Sequence, residues 1–153
     1  MNIFVLDTDP HKAAIHQLDK HIVKMPLETA QMLCSALVRH GCEDTPYKAA
    51  YRKHPCTIWA GDSRNNFNWL IEHGLSLCKE YTARYGREHK SQAVIEWCAT
   101  QAHKIPQGQL TEFAQAMPDH YKDSCPVAAY RSYYLGDKAR IATWKRNQPG
   151  WWN

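Results

Sequence analysis

The chain lacks the motifs that usually announce bound nucleotide, catalytic zinc or dithiol chemistry: it has no glycine-rich phosphate loop, no HExxH helix and no CxxC pair. HPC, with His54 and Cys56, is the nearest approach to a metal-ligand spacing, and it lacks the second pair that a structural zinc needs. No metal and no cofactor are expected. The six cysteines, at 34, 42, 56, 78, 98 and 125, are scattered. In a chain long enough to bury its own core they read as buried thiols, not as a disulfide scaffold. No apolar run approaches the roughly 20 residues of a membrane span, and MNIFVLDTDP meets Asp7 before it can form a secretory signal. A cytoplasmic protein with no membrane partner is expected, and the absence of repeats across 153 residues points to a single domain over 1–153.

What is present is a charge pattern. Between Tyr130 and Arg146 lie Arg131, Lys138, Arg140, Lys145 and Arg146 against Asp137 alone, which equals the +4 net charge of the whole chain. Tyr130, Tyr133, Tyr134 and Trp144 are interleaved with them, and Trp151 and Trp152 follow. Cations for phosphates among aromatics for bases suit a nucleic-acid surface. An aromatic core helix with a solvated basic face fits the same residues.

The periodicity predicts an α-rich single domain: a compact helical domain with a short extended N-terminal segment, NIFVLD, and long loops. Asp9 and Pro10 read as N-cap and first helical residue. The helical pattern runs to about His40, with a break near Leu18 and a kink at Pro26, and stops at Gly41. GCEDTPYKAAYRKHP reads as loop with a possible short helix. Phe67, Leu70, Ile71, Leu75, Cys78 and Tyr81 are spaced for a second long helix closing on Gly86. Ser91 caps a further helix to about Lys104, residues 105–125 read as irregular chain, and Pro126 opens the last helical segments.

Within the first long helix, Leu18, Ile22, Met25, Thr29, Met32 and Ala36 form one apolar face, and Val23, Leu27, Ala30, Cys34 and Leu37 make much of the other side apolar too. Such a helix should be largely buried. Gln17, His21, Lys24, Glu28, Gln31 and Ser35 nevertheless fall on one narrow strip. The strip either faces water, braced by the Lys24 and Glu28 pair at i, i+4, or lines a cleft.

DKH with Glu28 seven residues after His21 resembles the active-site helix of the phage-type pyrimidine-dimer DNA glycosylases, the small helical endonuclease V enzymes and their bacterial relatives. HPCTIWAG leading into FNWLIEHGLSLCKEYTARYG resembles that family's Pro-to-Gly loop and second long helix, and AYRSYYLGDK its aromatic and basic C-terminal segment. The three blocks keep the family's order across nearly the whole chain. The resemblance implies an all-α fold, a DNA substrate, a phage or bacterial setting and a base-excision step coupled to cleavage at the abasic site. In that family the N-terminal α-amine attacks the sugar C1′ to give a Schiff base while the helix glutamate assists ring opening and elimination.

Carried over, Glu28 is that carboxylate and His21 its neighbour. The nucleophile is the α-amine of Met1, or of Asn2 where Met1 is removed, with Lys24 as the runner-up. An α-amine titrates near pH 8 and is partly neutral near pH 7, whereas lysine amines titrate near 10.4. Lys20, Lys24, Gln31, His54, Tyr130, Arg131, Tyr133, Tyr134 and Lys138 are the expected DNA contacts.

Two departures matter. The segment leading to the helix is longer than in the family's best understood enzyme, so it must fold back if its amine is to reach Glu28. The arginines flanking the glutamate there correspond here to Leu27 and Gln31, which leaves the target open among damaged or modified bases. Three function classes follow: a DNA glycosylase with or without lyase activity, a base-modifying enzyme that does not cut the strand, and a non-catalytic DNA-binding protein. A monomer is expected.

Overall fold

Local signals set the helix starts. In the computed structural model, which describes residues 1–152, the Asp9 side chain accepts the amides of His11 and Lys12, and Pro10 opens α1 (Pro10–Ile15) with its φ already helical. The chain breaks where expected, around Leu18, and α2 (Asp19–Arg39) follows. α2 continues as one helix through Pro26. The proline removes one ladder donor from this stretch, and His89 Nε2 donates to the neighbouring Val23 carbonyl at 2.9 Å.

α3 (Pro55–Asp62) corrects the loop expected for HPCTIWAG: His54 Nδ1 caps it by accepting the Cys56 amide, Pro55 is its first residue, and Cys56, Trp59 and Ala60 are buried. Ser63 then caps α4 (Arg64–Tyr85), which ends on Gly86 in the left-handed conformation at φ +74°, a backbone geometry glycine adopts without cost. α5 (Gln92–Ala99) stops short of Lys104, and a separate 3-10 turn takes up Ala102–Lys104. After the irregular chain comes α6 (Pro126–Asp137). No strand forms among the described residues, so the all-α expectation holds.

α1, α2, α3 and α5 all pack on α4, and α2 also touches α3 and α5. The helices approach closely at Gly74, where a β-carbon would come within 2.8 Å of Thr29 Cγ2. Residues 1–6 thread this bundle without pairing as a strand. Ile3, Phe4, Val5 and Leu6 are each at most 4% exposed. Burying such side chains is worth about 1.5–3 kcal/mol apiece, comparable to the roughly 1–2 kcal/mol per residue lost in ordering the backbone. Their backbone groups find partners one by one: Gln17 Nε2 donates to Ile3 O and Arg131 Nε to Leu6 O, both at 2.9 Å. The Leu6 amide turns back to Phe4 O, with Phe4 at φ +60°.

The start of α2 is fixed by a buried guanidinium. Arg84 donates to Asp19 Oδ1 at 3.0 Å, to Glu80 Oε2 at 2.8 Å and to the Gln17 and Ile15 carbonyls. Asp19 also accepts from Thr143 Oγ1 and the Lys145 amide. Arg84 therefore joins the end of α1 to the start of α2, Asp19 carries the network on to the C-terminal segment, and together they set the position of His21 one half-turn further on.

Candidate active site

The N-terminal segment folds back onto α2. Glu28 Oε1 accepts the Asn2 amide at 3.0 Å and lies 3.5 Å from the Met1 α-amine, while Oε2 lies 3.4 Å from Lys24 Nζ. The longer lead-in is absorbed by the turn at Phe4, so its extra length does not keep the amine from the carboxylate. Asn2 holds this geometry with its side chain: Oδ1 accepts the Ile3 and Phe4 amides and Nδ2 donates to Ala116 O at 2.8 Å. Here the amine belongs to Met1 and Asn2 contributes an amide; without Met1 the same nitrogen of Asn2 would be the amine.

These groups line a cavity of about 180 Å3 with Phe4, His21, Met25, Tyr133 and Lys138. Glu28 and His21 are each 6% exposed and both line this cavity. The Lys24 side chain is 68% exposed and stands at the mouth. The strip on α2 is therefore a cleft lining along its middle. Its ends differ: Gln17 is buried under the N-terminal segment, and Ser35 is buried against Ala50.

His21 is held on two sides. Phe4 stacks on it at 4.1 Å and 15°, and its Nδ1 lies 2.6 Å from Tyr134 Oη. Burial raises the Tyr134 phenol well above 10, so it keeps its proton. Its oxygen accepts the Leu18 amide at 3.4 Å, and donating to His21 Nδ1 leaves no buried proton unpaired. Nε2 then carries the imidazole proton toward the cavity. Burial, then the charges of Lys138 and Lys24, push the His21 pKa down to about 3. A ring so buried is neutral at pH 7, with its Nε2–H available to donate.

The expected DNA contacts divide. Lys20 is exposed on α2, Gln31 is half-buried, and Tyr133 and Lys138 line the cavity, with Lys138 Nζ 5.0 Å from the Tyr133 ring centre. His54 is half-buried at the α3 cap; burial and the Met1 amine lower its pKa, opposed by Glu28. Tyr130 and Tyr134 are corrections: both are 0% exposed and cannot stack on a base. Tyr130 Oη instead ties down the irregular chain through Ala114 O and the Ala116 amide, the residue that holds Asn2. Arg131 has internal partners too: its guanidinium donates to Leu6 O, pairs with Asp7 at 3.4 Å and lies over the Trp151 ring, which secures the N-terminal segment, while its side chain stays 33% exposed.

Sequence reasoning missed Phe4, which sits in an apolar run, and Met25, which reads as core. Five cysteines are buried, Cys125 is exposed and all six are free. The buried Cys34 and Cys98 sulfurs lie 3.7 Å apart. No group of three or more His, Cys, Asp or Glu side chains is arranged to hold a metal among the described residues, and no helix is long and apolar enough to cross a membrane.

A family model described as pyrimidine dimer DNA glycosylase matches residues 1–93. That span contains Met1, His21, Lys24, Glu28 and His54, and stops before Tyr133 and Lys138. No curated protein and no solved structure matches the chain.

Proposed function

The chain belongs to the pyrimidine dimer DNA glycosylase family, and from that premise we propose that it excises a damaged or modified base from DNA, with the Met1 α-amine as nucleophile, and then cleaves the abasic strand. The observation that carries this reading is the convergence of the Met1 amine, 3.5 Å away, and the Asn2 amide, 3.0 Å away, on Glu28 Oε1 inside a cavity.

The neutral amine attacks the sugar C1′, forming a C–N bond while the bond to the base breaks and the base departs with the electron pair, taking a proton from solvent. The nitrogen then loses a proton, the C1′–O4′ bond opens, O4′ takes up a proton and an imine forms. Glu28 is placed to take the first proton and return the second. His21 Nε2–H is the donor for the developing oxyanion, neutral and therefore unable to repel the cationic imine. In the elimination that follows, a proton leaves C2′ and the C3′–O bond breaks, which nicks the strand. Lys20, Lys24 and Lys138 are assigned to the phosphates around the opening.

At about 180 Å3 the cavity is smaller than the roughly 300 Å3 or more that buries a drug-sized ligand. It suits one sugar and the edge of its base, with the rest of the duplex outside. The test is incubation with duplexes carrying a single pyrimidine dimer or a single modified base, scored for base release or dimer glycosyl-bond cleavage and for nicked strand. Glycosyl-bond cleavage with a nick is expected. Cleavage of that bond without a nick would remove the lyase step, and salt-dependent binding with neither would leave a DNA-binding protein.

A further inference from the structure

The chain between α2 and α3 carries a side chain with no internal task. Tyr51 is 62% exposed, the most exposed of the large hydrophobic residues, and its backbone sits at φ +53°, a left-handed conformation that a residue with a bulky β-carbon adopts at a cost. The ring packs on no other aromatic and no cation among the described residues, so packing of the ring does not offset that cost.

The surroundings hold the conformation instead. Ser35 Oγ donates to Ala50 O and accepts the Ala50 amide, both at 2.8 Å. The His54 amide closes a turn on Tyr51 O at 3.0 Å. Strain imposed by a frame around an exposed ring is a feature of functional surfaces. Arg52 and Lys53, both exposed, follow directly, and neither makes an ion pair among the described residues.

The frame ties Ala50, the residue before Tyr51, to Ser35 on α2. Ser35 follows Glu28 by seven residues on α2, two turns along the same face and about 10 Å of helix rise. That is about three base-pair steps of B-DNA.

We propose that Tyr51 is a stacking platform for a nucleobase unstacked within about three base pairs of the one in the cleft, with Arg52 and Lys53 on the flanking phosphates. This rests on the glycosylase reading. Base extrusion disrupts stacking next to the target, and an aromatic face receives any base without reading sequence.

The test uses the full chain and a duplex with one tetrahydrofuran abasic analogue, which is not cleaved, measured by fluorescence anisotropy. A second set carries 2-aminopurine one to four positions from the analogue. Tyr51→Ala is expected to weaken binding by about 5- to 150-fold, the scale of one base–aromatic stack, and to abolish quenching of the 2-aminopurine at one position. Tyr51→Phe should keep both. Tyr51→Gly, which relieves the backbone strain while removing the ring, should fold at least as stably as wild type and bind as weakly as Tyr51→Ala. Wild-type binding with unchanged affinity in Tyr51→Ala would overturn the proposal alone and point the ring toward a protein partner. Failure of the wild type to prefer the analogue over intact duplex would overturn the glycosylase reading and this proposal with it.

Discussion

Glu28→Gln keeps the shape of the side chain and removes its charge and its capacity to carry a proton. The amide oxygen can still accept the Asn2 N–H at the Oε1 position, now 3.0 Å away, so the N-terminal segment should stay folded back. The charge lost faces both the Met1 α-amine, 3.5 Å away, and Lys24, whose side chain is 68% exposed; the solvated Lys24 pair contributes about 1 kcal/mol or less, and the Asn2 amide still holds the segment that carries the amine. The fold and DNA affinity should therefore survive. Chemistry should not, because the amine can no longer pass its proton to the neighbouring carboxylate. Removal of a general acid–base group costs about 100- to 10,000-fold in rate. The assay is single-turnover cleavage at the lesion on a labelled duplex that the wild type cleaves, with anisotropy on the uncleaved abasic analogue as the binding control. A fall of about 100-fold or more with affinity nearly unchanged is expected. Wild-type turnover in Glu28→Gln would refute the role given to the carboxylate.

Tyr134→Phe deletes only the hydroxyl that donates to His21 Nδ1 at 2.6 Å; turnover should fall by about 5- to 150-fold, the rate equivalent of one buried hydrogen bond, with the His21 nitrogen chemical shifts reporting loss of a single tautomer. Arg84→Met leaves Asp19 and Glu80 without their buried partner and should cost about 3–5 kcal/mol in urea unfolding. Burial holds the His21 and His73 pKa values down to about 3 and about 4, against about 6.5 in an unfolded chain. The unfolded state therefore binds the extra protons between these limits. Stability present above about pH 6.5 should fall by about 1.4 kcal/mol per pH unit for each histidine as the solution is acidified toward pH 4, and equal melting temperatures at pH 7 and pH 5 would contradict it.

The sequence makes some of this architecture plain because the cause is local. Asp9–Pro10, Ser63 and Gly86 mark helix ends by capping chemistry that needs only neighbouring residues, and the strip through His21, Lys24 and Glu28 follows from helical spacing. The parts that were not legible depend on distant partners. The N-terminal segment reaches Glu28 because the Ala116 carbonyl, 114 positions on, accepts the Asn2 side-chain amide and Arg131 holds the Leu6 carbonyl. The aromatic C-terminal block reads as one surface in sequence, but α6 turns Tyr130 and Tyr134 inward and leaves Tyr133 facing the cleft. That division follows from i, i+4 spacing only once the buried side of α6 is known. α3, where the resemblance implies a loop, is not legible as a helix because its eight residues have buried positions on more than one side, with no amphipathic period to reveal it.

The central claim is that the α-amine beside Glu28 becomes bonded to the sugar. Borohydride reduction of the protein mixed with abasic-site duplex, followed by peptide mapping of the crosslink, tests it most directly. The expected adduct lies on the Met1 α-amine, or on the Asn2 α-amine in molecules without Met1. An adduct on Lys24, or glycosyl-bond cleavage with no trapped adduct, would contradict it.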